Sequence, residues 1–197
     1  ERLGLPSEKF LFLFAGQIRP YKGVLELVEA FKSLDPEVKK HCLLVVAGKA
    51  SDASYLKRIE EAMRGGEEIL FFHRFLEEEE LLAFVAACDV GVLPYRDVLN
   101  SGSALLFSSL GIPVVGPKIG ALPEVVEALQ EGVLYEENAL RESLHKAFER
   151  YRGKEVREKI VERTKFFFSP EKTGKLHFEL YEKILKRFEH QGKSYSR

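Results

Sequence analysis

Phe10-Leu11-Phe12-Leu13-Phe14-Ala15-Gly16-Gln17-Ile18-Arg19-Pro20-Tyr21-Lys22-Gly23-Val24 is the stretch on which the fold turns. Its first six residues are all apolar, too few for a helix and without a polar face, which predicts a strand buried on both sides. Gly16 ends the run. After a short polar connection, Val24, Leu27, Val28, Ala30 and Phe31 recur at helical spacing and make one apolar face. A doubly buried strand that feeds a helix is the opening of a parallel sheet, because a crossover element is needed to return the chain to a parallel neighbour.

The same alternation continues outward from this stretch. Further strands are predicted at Cys42 to Ala47, Ile69 to Phe72, Val90 to Leu93, Pro113 to Val115 (ended by Gly116) and Gly132 to Tyr135. Between them Tyr55, Leu56, Ile59 and Met63 form one helical face, and Leu81, Leu82, Phe84, Val85 and Cys88 another. Beyond Asn138 only helices are predicted: Leu140 to Tyr151, Glu155 to Lys165, and Pro170 to about His190. Ser169-Pro170 supplies an N-cap and a first-turn proline for the last of these. The fold class expected is α/β: a doubly wound, Rossmann-like parallel six-stranded sheet with helices on both faces and C-terminal helices.

Composition narrows the function. The 197 residues are 45% hydrophobic and 31% charged, with 30 Lys and Arg against 31 Asp and Glu, a formal net charge of -1. A chain of this length buries roughly 70% of its unfolded surface, enough for a core without disulfides or structural metal. The near-zero charge argues against a dedicated nucleic-acid binder, which needs a basic excess to displace phosphate counterions. Cys42 and Cys88 stand in apolar runs without metal-ligand spacing and read as core residues. No metal site and no cofactor are expected. No window reaches the ~18–20 apolar residues of a membrane span, so a cytoplasmic protein is expected. The Glu77 to Glu80 run reads as carboxylates complementing a helix N-terminus, and Phe166-Phe167-Phe168 as packing for a terminal helix.

In an open parallel sheet, ligands bind beyond the carboxyl ends of the strands, where strand order reverses. Two post-strand segments carry suitable chemistry. Gly16 to Gly23 is a glycine turn with two cations, Arg19 and Lys22, entering a helix. Pro94 to Ser103 ends in Ser101-Gly102-Ser103 at the start of an apolar helix, where free amides and hydroxyls make a phosphate cradle. Neither G-x-G-x-x-G after a strand nor G-x-x-x-x-G-K-[ST] occurs, so the usual nicotinamide and P-loop phosphate sites are absent. Cations and amides facing a diphosphate suit the stabilisation of a departing anion.

Phe14 to Val24, Leu44-Val45-Val46-Ala47-Gly48, Asp89 to Pro94, Gly111-Ile112-Pro113-Val114-Val115 and Gly120-Ala121-Leu122-Pro123-Glu124-Val125-Val126 stand in an order and spacing that resemble the C-terminal domain of group 1 (family four) glycosyltransferases. These are built from two Rossmann-like domains. The resemblance runs over residues 8 to 190 and implies a retaining, metal-independent hexosyltransferase, of which this part binds the nucleotide-sugar donor. It also implies a sugar or lipid-linked acceptor held by a preceding domain, with peripheral attachment to a membrane in the full-length protein. On this reading residues 1–9 are a linker, 10–168 the donor-binding domain, 169–191 a helix crossing back, and 192–197 a frayed tail. The chain opens on Glu1, as expected of a domain excised from something larger.

Carried over by position, Lys22 matches the lysine of the family's KG motif and is expected, with Arg19, to act catalytically on the donor diphosphate. Gln17 stands where an arginine usually follows Gly16. His73 and Arg74 fall where the main chain contacts the nucleobase, and Ser101, Gly102 and Ser103 where amides meet phosphate. The family's pair of glutamates separated by seven residues falls on Val98 and Leu106, neither acidic. Two other readings compete: a degenerate donor-binding module without turnover, and a nucleotide-sugar epimerase-like relative. Retention of Arg19, Lys22 and the serine-glycine turn together favours the transferase.

Overall fold

The structure is a computed structural model that describes residues 3–192. Its elements are β1 (Phe10–Ala15), α1 (Val24–Lys32), α2 (Pro36–Lys39), β2 (Cys42–Ala47), α3 (Ala53–Met63), β3 (Ile69–Phe72), α4 (Glu78–Ala87), β4 (Val90–Val92), α5 (Gly102–Ser109), β5 (Val114–Pro117), α6 (Leu122–Leu129), β6 (Val133–Tyr135), α7 (Leu140–Tyr151), α8 (Arg157–Phe168) and α9 (Pro170–Gly192). A single 3-10 turn, Pro20–Lys22, precedes α1.

All six strands run parallel in the order β3-β2-β1-β4-β5-β6, the doubly wound arrangement the alternation predicts. Every residue of β1 and β2 is buried. Phe12, Phe14, Leu44 and Phe31 lie at the centre of one continuous apolar core. α1 packs against α3 and α7, while α5, α6 and α8 pack together as a second layer. Strand order reverses between β1 and β4, which brings the loops after these two strands side by side.

Differences from the sequence reading are local. β5 does not stop at Gly116. It runs on to Pro117 because β6 pairs with it there, Gly116 opposite Leu134 and Pro117 opposite Tyr135. α8 begins at Arg157 rather than Glu155 and takes the three phenylalanines into its last turn. Its start is anchored by the Arg157 guanidinium, which donates to the carbonyls of Ala86 (2.9 Å) and Cys88 (2.8 Å). Phe168 packs on the core, whereas Phe166 stays 67% exposed with the Lys172 ammonium 4.4 Å from its ring centroid. The short helix α2 was not anticipated, although Asp35 caps it by accepting from the Glu37 amide at 2.8 Å.

Glu78, Glu79 and Glu80 occupy the first turn of α4, as their charge favours. Cys42 and Cys88 are free and buried, and burial pushes the Cys42 thiol up to about 12. Gly192 closes α9, and residues 193–197 of the expected tail lie outside the described residues, as do residues 1–2 of the expected linker.

Candidate functional site

The loops at the carboxyl edge of the sheet are stitched to one another across the whole site. Gly48 sits so close to Gly16 that a Cβ there would lie 1.8 Å from the Gly16 carbonyl oxygen, which joins the loops after β1 and β2. The loops after β2 and β3 are joined by the Ala50 amide, which donates to His73 Nε2 at 3.1 Å. Gly23, in the left-handed region at φ 68°, lies against the Pro94 carbonyl, and the Arg96 amide donates to the Tyr21 carbonyl at 2.8 Å. These two contacts join the loops after β1 and β4. The loop after β4 is braced in turn from the β5 side, where the Ala121 amide donates to the Leu99 carbonyl at 2.9 Å.

Within this frame the first loop carries Gly16, Gln17, Arg19 and Lys22. Arg19 is extended and exposed, and its carbonyl receives the Lys22 amide at 2.9 Å. The Lys22 ammonium lies 4.0 Å from the Tyr95 ring centroid and 5.5 Å from that of Tyr21. It makes no ion pair among the described residues, so its charge is not spent on a carboxylate. Nearby Arg96 pairs with Glu26 instead. Behind Lys22, α1 opens without a side-chain cap, and its Leu25 amide is satisfied by the Tyr55 hydroxyl at 3.2 Å, from α3.

The second loop ends at Ser101, the N-cap of α5, whose hydroxyl accepts from the Ala104 amide at 3.1 Å. That leaves the amides of Gly102 and Ser103 at the open end of the helix, beside a glycine whose Cβ position meets nothing within 4 Å. The helix start and the open approach both suit an anion. Val98 and Leu106 are half-buried and pack on the core, so neither position offers a polar group.

A pocket of about 450 Å³ opens between the loops after β1, β2 and β3, lined by Gly16, Gln17, Gly48, Lys49, Phe75 and Leu81 among others. Gly16 and Gln17 are among its lining residues. His73 and Arg74 stand beside it with their side chains committed elsewhere, His73 to Ala50 and Arg74 to both oxygens of Glu80. The Arg74 amide is taken as well, donating to the Phe72 carbonyl at 3.0 Å. Sequence reasoning missed Lys49 and Phe75. Phe75 is 69% exposed, and the signal was there: an aromatic residue three positions beyond a strand end, where no core needs it. A larger cleft of about 850 Å³ lies between α1 and the loops after β4, β5 and β6, with Tyr95, Arg96, Lys118 and Tyr135 in its wall. None of the predicted site residues lines it.

The site thus consists of a doubly wound parallel sheet whose loops are joined through glycine at the reversal point, a Lys22 that makes no ion pair among the described residues, and a helix α5 that opens on Gly102 and Ser103. The chain belongs to the group 1 glycosyl transferases, whose family model matches residues 1–166. In sequence it is similar to a GDP-mannose:glycolipid 4-beta-D-mannosyltransferase of Xanthomonas campestris pv. campestris, 33% identical over 124 residues, which cover 62% of this chain and 34% of that one. It is also similar to a D-inositol 3-phosphate glycosyltransferase of Xylanimonas cellulosilytica, 35% identical over 137 residues, covering 68% of this chain and 32% of that one. The chain thus spans about a third of the length of these curated relatives.

Among solved structures, a glycosyltransferase from Rickettsia africae matches with a TM-score of 0.78 at 19% identity, over 94% of this chain and 50% of that one. The C-terminal domain of a group 1 family glycosyl transferase from Francisella tularensis matches with a TM-score of 0.71 at 21% identity, over 86% of this chain and 90% of that one. These likenesses show the fold, a Rossmann-like α/β domain of the kind found in the C-terminal part of such enzymes. No helix among the described residues is long and apolar enough to cross a membrane.

Proposed function

We propose that this chain is the donor-binding half of a hexosyltransferase that moves a hexose from a nucleoside-diphosphate sugar to an acceptor. The observation that carries this reading is the unpaired Lys22 ammonium, on a loop joined to the one that leads to the open start of α5. In glycosyl transfer the bond from the anomeric carbon to the diphosphate breaks and negative charge grows on the departing phosphate. Groups already aimed at that charge lower the barrier most, because nothing reorganises as it develops. Lys22 and Arg19 supply positive charge, and the Gly102 and Ser103 amides supply hydrogen bonds without giving up a proton. The nucleoside occupies the 450 Å³ pocket, where Gly16 allows close approach and the exposed Phe75 ring offers a face to the base. This division of labour requires no metal.

The resemblance to the family carries retention of configuration, and the beta linkage in the name of the Xanthomonas relative makes the anomeric centre the point to measure. The acceptor and the residues that bind it belong to the part of the relatives' length that this chain does not span. α9, whose Leu176, Phe178, Leu180, Ile184 and Leu185 are all exposed, is proposed to cross back and pack on that part. Calorimetric titration with nucleoside diphosphates, followed by donor hydrolysis and transfer assays on the full-length protein with NMR of the product anomer, tests this reading. Equal affinity for nucleoside and nucleoside diphosphate would sink it. The apolar Val98 and Leu106 favour one second reading, a binding module without turnover. Tight donor binding with neither hydrolysis nor transfer would establish that one instead.

A further inference from the structure

Tyr95 was no part of the site as read from the sequence. It is the first residue after Pro94 in the loop following β4, it is only 4% exposed, and its ring faces the Lys22 ammonium at 4.0 Å. The two residues come from different loops, so this contact exists only because β1 and β4 are neighbours. Three further contacts hold the ring where it is: Gly23 against the Pro94 carbonyl, the Arg96 amide on the Tyr21 carbonyl, and the Arg96 guanidinium on Glu26. A flexible lysine stem has many rotamers, and only some direct its charge at one point. A carboxylate partner would restrict those rotamers but would neutralise the charge. An aromatic face restricts them and leaves the charge available to an anion.

We infer that Tyr95 is a positioning residue that holds the Lys22 ammonium over its ring and so presents it to the diphosphate of the ligand. The inference rests on the proposed donor site and adds to it a residue that touches no substrate. The hydroxyl has no part in this, since the ring face alone meets the ammonium, and Tyr95→Phe is therefore the conservative control.

The experiment uses the chain of residues 1–197 with a nucleoside diphosphate, the matching nucleoside and inorganic pyrophosphate as probes. Wild type, Tyr95→Phe, Tyr95→Leu, Lys22→Ala and the Lys22→Ala/Tyr95→Leu double variant are compared by calorimetry, and the ring-current shift of the Lys22 ε-methylene protons is read by NMR. Tyr95→Leu is expected to weaken diphosphate and pyrophosphate binding by roughly three- to tenfold. It should leave the nucleoside untouched and abolish the ring-current shift, while Tyr95→Phe retains both affinity and shift. In the Lys22→Ala background the Tyr95→Leu effect should vanish, as expected of two residues acting through one contact.

If Tyr95→Leu weakens nucleoside and diphosphate alike, if Tyr95→Phe fails as Leu does, or if the two losses add, Tyr95 does not act through Lys22 and the inference is overturned. A wild type that shows the ring-current shift but binds neither diphosphate nor pyrophosphate overturns the donor-site reading and, with it, the purpose assigned to the contact. The NMR readout keeps the two failures apart.

Discussion

At the scale of single residues, the proposed site separates groups assigned to binding from groups that shape. Lys22 is assigned to binding: a charged hydrogen bond to phosphate is worth about 1.5–3 kcal/mol, so Lys22→Ala should weaken diphosphate binding by roughly ten- to hundredfold with little change in melting temperature. Calorimetry and thermal unfolding of one preparation check both halves. Gly23 shapes. Alanine there would meet the Pro94 carbonyl oxygen at 1.8 Å while held at φ 68°, so Gly23→Ala should cost roughly 2 kcal/mol or more of stability and lose diphosphate binding along with it. Gly102 differs, because a Cβ there meets nothing within 4 Å. Gly102→Val should leave the melting temperature within a few degrees of wild type and lose its ligand all the same, and a folded variant with undiminished diphosphate affinity would remove Gly102 from the site.

At the scale of elements, the carboxyl edge is served by loops and the far side of the body is held by a charge cluster. Glu131, in the turn between α6 and β6, is 7% exposed. It accepts from Arg150 (2.9 Å) and the Tyr151 hydroxyl (3.3 Å) of α7 and from Lys159 (2.7 Å) of α8. Burial acts to raise its carboxyl, but the hydrogen bond from Lys159 and the charges of Arg150 and Lys159 outweigh burial and hold it below the usual carboxylate range. A carboxyl whose folded value is depressed stabilises the protein above its unfolded value, and that contribution is lost as pH falls through the folded one. Stability should therefore decline from about pH 4 downward, the ordinary glutamate range, and Glu131→Gln should flatten that part of the curve. At pH 7 the variant should lose about 1–2 kcal/mol, a modest figure because the Arg150 and Lys159 side chains are 40% and 51% exposed. Melting curves from pH 3 to 7 test the sign. In the loop after β3, Phe75→Ala should leave stability unchanged within about 0.5 kcal/mol and weaken nucleoside binding by roughly five- to tenfold, the scale of a lost base stack.

For the molecule as a whole, the sheet was legible because its strands are short apolar runs, the first five of them closed by Gly, Pro or His, a pattern that burial within a parallel sheet favours. Its limits were less so: the end of β5 at Pro117 depends on pairing with β6, which no local pattern reports. The candidate site was legible as two loops, from Gly16 to Gly23 and from Pro94 to Ser103, since glycine, cations and a serine cap announce themselves. Lys22 against Tyr95 was not, because it depends on where a ring from one loop lands over a stem from another. His73 illustrates the same limit, as its exposed ring accepts from the Ala50 amide of a neighbouring loop. The chain by itself is expected to bind nucleoside diphosphate weakly and to transfer no sugar, and transfer activity from residues 1–197 alone would refute this.

The position of β3 has a consequence for handling the protein. As one of the sheet's two edge strands it pairs with β2 on one side only, and its four residues, Ile69-Leu70-Phe71-Phe72, are apolar and just half-buried. An open apolar edge is a template for strand addition from another copy, the first step toward aggregation. Glu67 and Glu68 stand immediately before it and act as gatekeepers, their charge disfavouring the approach of a second identical edge. Neutralising both, as Glu67→Gln/Glu68→Gln, should leave the monomer's melting temperature nearly unchanged yet shorten the time to turbidity at high concentration. Salt that screens the charges should hasten it too.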